Sequence, residues 1–312
     1  MNYETLYNSI QAYAENTEQL FVANIPVFVQ EAEDRVYNSV QIPSLRKNVT
    51  GTLTAGNQYI SLPDDWLSNF SLAVIDSTNK YNYLLNKDVN YLREAYPSVV
   101  YTSPTYQGTP GGVPAYYSLF GSQLSNVNEL TLMVAPTPDA NYVVEMHYYY
   151  YPPTIVQGQI TTVGTLTAGS LYTNGVYQNV SLTGGSGANA TADIVIAGGV
   201  VTSCTLKFGG NFYVVGDILS CSSLGSTGSG FSVTVTAVSN SKGTSWLGDN
   251  YDPVLFYGAM REALIFMKGE ADMVSYYEKM YQEAVQQLNR LGTGLERGDA
   301  YRNGQAKIRV NP

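Results

Sequence analysis

The feature that most constrains the fold is an 85-residue stretch, 158–242, with almost no charge. It contains only Asp193, Lys207, Asp217 and Lys242, whereas the whole chain of 312 residues carries 16 Lys and Arg and 25 Asp and Glu. The stretch also holds 15 of the 29 glycines and is rich in Thr, Ser and Val. This composition is typical of short strands joined by tight turns. We therefore predict that 158–242 is an inserted all-β domain.

Within this stretch the runs Ala192–Ala197 and Val200–Leu206 flank the pair Gly198-Gly199. Two glycines tolerate the positive φ angles of a type I′ turn, so the sequence predicts a hairpin here. Further strands are predicted at Phe212–Cys221 and Phe231–Val238. About five strands in all indicate a small sandwich or barrel.

Helical patterns lie at both ends of the chain. Asp252 and Pro253 favour a helix start, and apolar residues repeat with helical spacing as far as Met267. A second stripe ends at Gly292 and consists of Val274, Tyr277, Tyr281, Ala284, Leu288 and Leu291. Spacings of three and four predict a second helix, and the two consecutive helices are expected to be antiparallel. The apolar stripe of the second helix either packs on its own domain or binds a partner.

The N-terminal residues predict a matching pair of helices. The first runs from Tyr3 to Asn16 and the second begins near Asn24 and Pro26. The residues expected to face inward are Leu6, Ile10, Tyr13, Ala14, Phe28, Ala32, Val36 and Val40. The four terminal helices then form one bundle around a β-rich middle, residues 49–151, whose strands are expected at 48–62, 70–76, 81–85, 129–135 and 142–151. The predicted fold class is α+β.

Catalytic patterns are scarce. His147 is the only histidine, which leaves no multi-histidine metal centre, and its place in a Tyr-rich strand favours a packed or hydrogen-bonded role over a general base. Asp64 and Asp65 fit a turn after Pro63, and the acidic group Glu31, Glu33 and Asp34 fits a solvated helix face. No common catalytic or phosphate-binding motif is present. We expect no enzymatic activity, metal or cofactor.

Two cysteines, Cys204 and Cys221, are expected to be free thiols. The formal net charge of -9 disfavours sequence-independent nucleic-acid binding, which relies on Lys and Arg. No apolar run is long enough to span a bilayer, and the N-terminus lacks a signal-peptide pattern, so we expect folding in the cytoplasm.

The segment 292–312 differs from the rest of the chain because it is basic and lacks apolar periodicity. Its cations are Arg297, Arg302, Lys307 and Arg309. Two interpretations stay open: an extended arm that orders on an acidic partner surface, or a plain disordered tail.

Several blocks of sequence resemble the head-to-tail adaptor, or connector, proteins of short-tailed bacteriophages. The resemblance covers 1–157 and 243–312. The blocks are IPVFVQEAEDRVYNSVQIPSLRKNVTGTL (25–53), LPDDWLS (62–68), LLNKDVNYLREAYP (84–97), APTPDANYVVEMHYYYYPP (135–153), GTSWLGDNYDPVLFYGAMREALIFMKGEAD (243–272) and GDAYRNGQAKIRV (298–310). The stretch 172–220 is similar to a β module found in phage tail and fibre proteins.

The resemblance implies a virion neck protein that forms a ring of twelve copies beneath the portal, extends the DNA channel and supports the tail nozzle. An acidic lining would let double-stranded DNA pass without binding. The implied domains are an adaptor core (1–157 with 243–291), the inserted domain (158–242) and a portal-docking arm (292–312).

The expected contact residues follow from this resemblance. Portal contacts are assigned to Arg297, Arg302, Lys307, Arg309 and Val310, and ring contacts to His147, Tyr148, Tyr149, Tyr150 and Tyr151. The insert either contacts tail fibres or the capsid vertex, or is a tolerated surface decoration. The alternative function is a tail-associated receptor-binding or carbohydrate-binding protein.

Overall fold

The computed structural model of the chain describes residues 1–97, 111–121, 130–224 and 228–302, with side chains as far as residue 292. The helices are α1 (Tyr3–Ala14), α2 (Gln19–Ser39), α3 (Val89–Ala95), α4 (Trp246–Asn250), α5 (Asp252–Phe266) and α6 (Ala271–Arg302). The strands before the insert are β1 (Arg46–Leu53), β2 (Tyr59–Ser61), β3 (Trp66–Ile75), β4 (Tyr81–Tyr83), β5 (Leu85–Asn86), β6 (Tyr116–Gly121), β7 (Thr131–Ala135) and β8 (Tyr142–Tyr150). The insert contains β9 (Gln159–Ser170), β10 (Gly175–Ser181), β11 (Ala188–Ala197), β12 (Val200–Asn211), β13 (Ile218–Leu219) and β14 (Ser229–Ser239).

The chain forms two compact units. The terminal unit combines Met1–Val40 with Pro153–Pro312, and the central unit is Gln41–Pro152. The predicted α+β class is confirmed, with helices from both chain ends, a β-rich middle and a small all-β insert. The predicted domain limits at 157, 242 and 291 stay a prediction.

In the terminal unit, α5 packs against α1, α2 and α6. Helical spacing places the apolar residues of α5 on one face, and residues of this face, including Leu255 and Ala259, are buried. Phe28 of α2 lies with its ring centroid 5.3 Å from that of Phe266, which closes one part of this core. Tyr13 was expected to face inward, but its side chain is 66% exposed.

Two helix boundaries were predicted incorrectly. Helix α2 begins at Gln19 and contains Pro26 inside it. Because Phe21 and Pro26 are buried in the core, packing offsets the helical hydrogen bond that a proline cannot donate. Helix α6 continues past Gly292 to Arg302, since an interior glycine costs only about 1 kcal/mol relative to alanine. The sequence predicted an extended arm from residue 292, but the backbone is helical as far as Arg302.

The insert folds as two three-stranded sheets, β10-β11-β12 and β13-β14-β9, around one core. Both edges of the sheets are joined: Thr183 pairs with Ser220 at one, and Tyr213 donates its backbone N–H to the Gly158 carbonyl at the other. The hairpin of β11 and β12 turns at Gly198 and Gly199, whose φ angles are 64° and 77°. The predicted type I′ hairpin and the small β fold are thus confirmed.

One predicted strand of the insert, Phe212–Cys221, is mostly a loop. Phe212 has a φ of 61°, and the carboxylate of Asp217 accepts hydrogen bonds from the backbone N–H groups of Ser186 and Val214. These bonds to the Asp217 side chain replace a strand ladder, so that only Ile218 and Leu219 form a strand.

The central unit contains the sheets β1-β8-β3-β4 and β2-β7-β6-β5, which share a core. Strand β8 lies at the predicted position, 142–151, and its inward residues Tyr142, Val144, Met146 and Tyr148 are buried in that core. Helix α3 and strand β6 were not predicted. No helix in the described part of the chain is long and apolar enough to cross a membrane.

Candidate assembly surfaces

The ring-contact candidates lie at the end of β8, a strand that is paired on both sides by β1 and β3. Tyr148 and Tyr149 are buried, at 3% and 7% exposure. The side chain of His147 is 41% exposed, and Tyr150 and Tyr151 are half-buried. The structure thus leaves mainly His147, Tyr150 and Tyr151 of these five residues accessible to solvent.

An arginine stack covers the outer face of the sheet beside Tyr149. The Arg46 guanidinium lies 3.7 Å from the Phe70 ring centroid, and its Nη2 donates a hydrogen bond of 2.7 Å to the Tyr149 hydroxyl. The rings of Phe70 and Tyr149 meet edge to face, with centroids 6.2 Å apart. Cation–π contact and a charge-assisted hydrogen bond together fix Tyr149 in the sheet.

We expect Arg46→Met to lower the unfolding free energy of the central unit by about 1–2 kcal/mol, because it removes both interactions. The matched control is Lys87→Met, since the Lys87 Nζ lies 6.0 Å from the Tyr91 ring and makes a weaker contact. Urea unfolding of both variants measures the difference. Equal midpoints would contradict a stabilising role for the stack.

Polar side chains next to this stack converge on Glu145. Its carboxylate contacts His147 Nε2 at 3.0 Å and accepts hydrogen bonds from the Tyr81 hydroxyl at 3.2 Å and Asn48 Nδ2 at 3.4 Å. The hydrogen bond with His147 is the main cause of a lowered pKa of Glu145. His147 is therefore a hydrogen-bonded surface residue, as the sequence indicated.

Asp65 anchors the inner tyrosine, Tyr148. Its carboxylate accepts a hydrogen bond of 2.8 Å from the Tyr148 hydroxyl and pairs with Lys47 Nζ. Burial alone would raise the pKa of Asp65, but the hydrogen bonds from Lys47 and Tyr148 outweigh it and lower the pKa. The turn predicted at Asp64 and Asp65 is present, and it has this structural role.

The insert is attached to the helices of the terminal unit through aromatic and polar contacts. The Phe212 ring packs on Tyr3 and Tyr7 of α1, with centroid distances of 5.2 and 5.4 Å. Asn211 Nδ2 donates to the Tyr3 hydroxyl at 3.3 Å, and Tyr3 N–H donates to the carbonyl of Gly243, directly after the insert, at 2.8 Å. Because these residues are far apart in sequence, spacing alone did not reveal the attachment.

Glu33 holds the chain segment that leads into the insert. Its carboxylate accepts hydrogen bonds from the Thr154 hydroxyl at 2.6 Å and the Ile155 backbone N–H at 2.8 Å. Glu33 is 2% exposed, so the expectation of a solvated face was wrong for this residue. Burial raises the pKa of Glu33 to about 7, although both hydrogen bonds oppose the shift.

A sequence signal for Glu33 existed. It lies four residues after Val29 and three before Val36, which are both buried, and these spacings place all three on one helix face. The helical spacing in α2 therefore indicated that Glu33 is buried. Its acidic neighbours Glu31 and Asp34 instead suggested a solvated helix face.

The portal-docking candidates fall at the end of the described chain. Arg297 and Arg302 lie within α6, whereas Lys307, Arg309 and Val310 lie outside the described residues. Helix α6 has 32 residues and its packing partner α5 has 15, which corresponds to lengths of about 48 and 22 Å. The basic segment thus begins on a helix that is twice as long as its neighbour.

Metal and thiol chemistry add little to these surfaces. Within residues 1–97, 111–121, 130–224 and 228–302, no group of three or more His, Cys, Asp or Glu is placed to hold a metal ion. Cys204 and Cys221 are free thiols, as expected, and burial raises the pKa of Cys204.

Comparison with known proteins identifies one family. The family model described as SU10 adaptor protein matches residues 1–181, which is more than half of the chain. The match includes both N-terminal helices, the whole central unit and the first two strands of the insert, β9 and β10. No curated protein matches the chain.

Proposed function

Because the chain belongs to the SU10 adaptor protein family, we propose that it forms a ring of twelve copies beneath the portal of a tailed phage. The family consists of phage adaptors, structural proteins of the virion neck that associate with portal and tail components. The match over residues 1–181 is the observation that carries this proposal. The ring extends the DNA channel and carries the tail nozzle.

The charge of the chain supports a channel role. A net charge of -9 repels DNA phosphates, so the duplex passes during packaging and ejection without being bound. In this proposal the subunit folds in the host cytoplasm and enters the virion when the portal presents its docking surface.

Ring contacts are proposed for the accessible side chains at the C-terminal end of the Tyr-rich strand β8. His147, Tyr150 and Tyr151 meet the neighbouring subunit, while Tyr148 and Tyr149 hold them from within the sheet. Aromatic residues are favoured and charges depleted at permanent interfaces, which fits this strand.

The portal contact is proposed for the end of α6 and the residues after it, namely Arg297, Arg302, Lys307, Arg309 and Val310. We expect the full chain to form a closed ring on its cognate portal when the two are mixed and imaged by electron microscopy. A chain ending after Gly292 loses the whole arm and is expected to leave the portal bare.

A second truncation, after Arg302, separates the helix from the final residues. If Lys307, Arg309 and Val310 make the contact, this variant also fails to bind. Ring formation by the chain ending after Gly292 would overturn the arm assignment. If the full chain forms no complex, the ring role loses its support, and receptor or glycan binding becomes the function to test.

The insert is proposed to contact tail fibres at its far tip. Strand β9 begins beside the attachment and ends at Ser170, so Leu171 lies at the opposite end. Leu171 and Val176 are 71% and 64% exposed, and Leu171 has a φ of 63°, which a leucine adopts only with strain. A tip with apolar, uncharged side chains suits an uncharged partner surface.

We expect Leu171→Asp with Val176→Asp to abolish fibre attachment to assembled virions while the ring still forms. The matched control is Val214→Asp, at a residue that is 55% exposed near the attachment to the helices. Electron microscopy of virions counts the fibres. Normal attachment in the tip variant would end the fibre proposal and leave the insert a surface decoration.

A further inference from the structure

Two edge strands leave one side of the central unit open. Strand β1 is the outermost strand of the sheet β1-β8-β3-β4, and β2 is the outermost strand of the sheet β2-β7-β6-β5. A cavity of about 410 Å³ lies between them and is here called the edge groove. Its apolar lining comes from both sheets and consists of Val49, Ile60, Leu62, Pro63, Val144 and Met146. The edge groove therefore opens onto the core that the two sheets share.

The backbone of β1 has free hydrogen-bonding groups along this groove. In an antiparallel pair, every second residue directs its N–H and C=O groups away from the partner strand. Within the described part of the chain, the backbone of residues 47–53 forms hydrogen bonds only with β8. A row of unpaired N–H and C=O groups on an edge strand is the chemistry that recognises another extended strand.

Gly51 leaves an empty position on the wall of the edge groove. It pairs with Val144, whose side chain is buried in the core, so a side chain at position 51 would lie on the same face of the sheet. A Cβ at Gly51 would have no atom within 4 Å, and its φ is not positive, so other residues fit its backbone. The edge groove thus has room for a side chain that β1 itself does not supply.

One segment of the chain beyond the described residues has the sequence pattern of a strand that would fit. The described chain ends at Arg302, and residues 303–312 follow it. Residues 306–310 read AKIRV, so apolar side chains alternate with two cations. This alternation suits a strand with one face in an apolar groove and the other in solvent.

Charge and helix length favour a second copy of the chain as the source of this segment. Asp64 is exposed directly after Pro63, which lines the edge groove, and its carboxylate complements the two cations of 306–310. Helix α6 packs on α5 and is about 26 Å longer, so it carries the end of the chain well past that helix. An end held in this way is suited to reach another molecule.

We propose that, in the free chain, residues 306–310 of one copy add to β1 of a second copy as a strand. Ala306, Ile308 and Val310 then lie in the edge groove, while backbone hydrogen bonds form along β1. The portal contact proposed above uses the same segment, so a subunit on the portal has withdrawn it from the groove. This inference goes beyond the ring, because it concerns the chain before it meets the portal.

The groove is tested with a fluorescent peptide of residues 303–312 and the chain ending after Arg302, which keeps every described residue. We expect saturable binding, measured by fluorescence anisotropy. The same peptide with Ile308→Asp and Val310→Asp should bind at least about tenfold more weakly, because it brings carboxylates into an apolar groove. Equal binding of the two peptides, or no binding of either, would overturn the proposal.

Gly51→Val in the chain ending after Arg302 should also weaken peptide binding at least about tenfold, because its side chain takes up the space in the groove. The matched control is Asn48→Val, on the opposite face of the same strand, which pairs with the partly exposed His147. It should leave peptide binding unchanged. Unchanged binding by a folded Gly51→Val variant would show that the peptide does not enter the edge groove.

Sedimentation of the full chain tests the source of the segment. We expect self-association as the concentration rises, and removal of residues 303–312 should weaken it at least about tenfold. Peptide binding combined with a full chain that stays monomeric would rule out the second copy as the source. No step needs the portal, so failure here leaves the proposed ring untouched, and failure of the ring leaves these tests intact.

Discussion

Replacing Glu33 with glutamine is expected to remove the loss of stability that the raised pKa of Glu33 predicts for the parent chain between pH 4.5 and about 7. Glu33 is buried, and the negative charge of the adjacent Asp34 further raises its pKa. A neutral amide fits the same site: its oxygen accepts from the Ile155 N–H, and its nitrogen donates to the Thr154 hydroxyl. The variant therefore keeps both hydrogen bonds without a buried charge.

The sign follows from proton linkage. The pKa of Glu33 is raised from 4.5 to about 7 in the folded chain, so between these values the folded state binds more protons than the unfolded state. The contribution is fully present below pH 4.5 and is lost as the pH rises through 7. At 1.36 kcal/mol per unit, the change is about 3 kcal/mol, which makes it one of the larger single-residue effects expected here.

Urea midpoints measured by circular dichroism from pH 4.5 to 8 test this expectation. Glu31→Gln is the matched control, because Glu31 is exposed on the same helix and should leave the pH slope unchanged. Glu33→Ala should instead lower stability at every pH by about 2–4 kcal/mol, since it leaves a cavity and two donors without their acceptor. A glutamine variant with the parent's pH slope would disprove the assignment.

The sequence predicted most of the helices and strands because their signals are local. Helical spacing located α1, α5 and the buried part of α6, and the pair Gly198-Gly199 located a hairpin turn. Local signals failed where distant residues decide the outcome. Pro26 remains inside a helix because the core packs around it, and Phe212 leaves the strand pattern because its ring packs on Tyr3 and Tyr7.

The candidate surfaces were predicted less completely than the fold. Alternation along β8 placed Tyr149 on the outer face, but it could not show that Arg46 and Phe70 cover that side chain. The edge groove was also hidden, because its lining comes from strands of two sheets. The resemblance assigned tyrosines of β8 to ring contacts, whereas which of them remain exposed depends on tertiary packing.

Gly210→Ala is expected to unfold or strongly loosen the insert. Gly210 has a φ of 63°, and a Cβ there would overlap the Ala188 carbonyl oxygen and approach the Ala190 nitrogen to 2.7 Å. Both atoms belong to the backbone of β11, which pairs with β12 at this point. Backbone cannot move aside without breaking the ladder, so overpacking adds about 1–3 kcal/mol to the cost of the left-handed conformation.

Gly198→Ala is a closely matched control, because Gly198 has a φ of 64° but no atom within 4 Å of a Cβ. It should cost only the left-handed strain, about 1–2 kcal/mol. Hydrogen exchange separates the two effects: amides of β11 and β12 should exchange at least about fivefold faster in Gly210→Ala than in Gly198→Ala. Amides of α5 serve as the internal reference, and equal exchange in the two variants would show that the close approach at Gly210 does not constrain the insert.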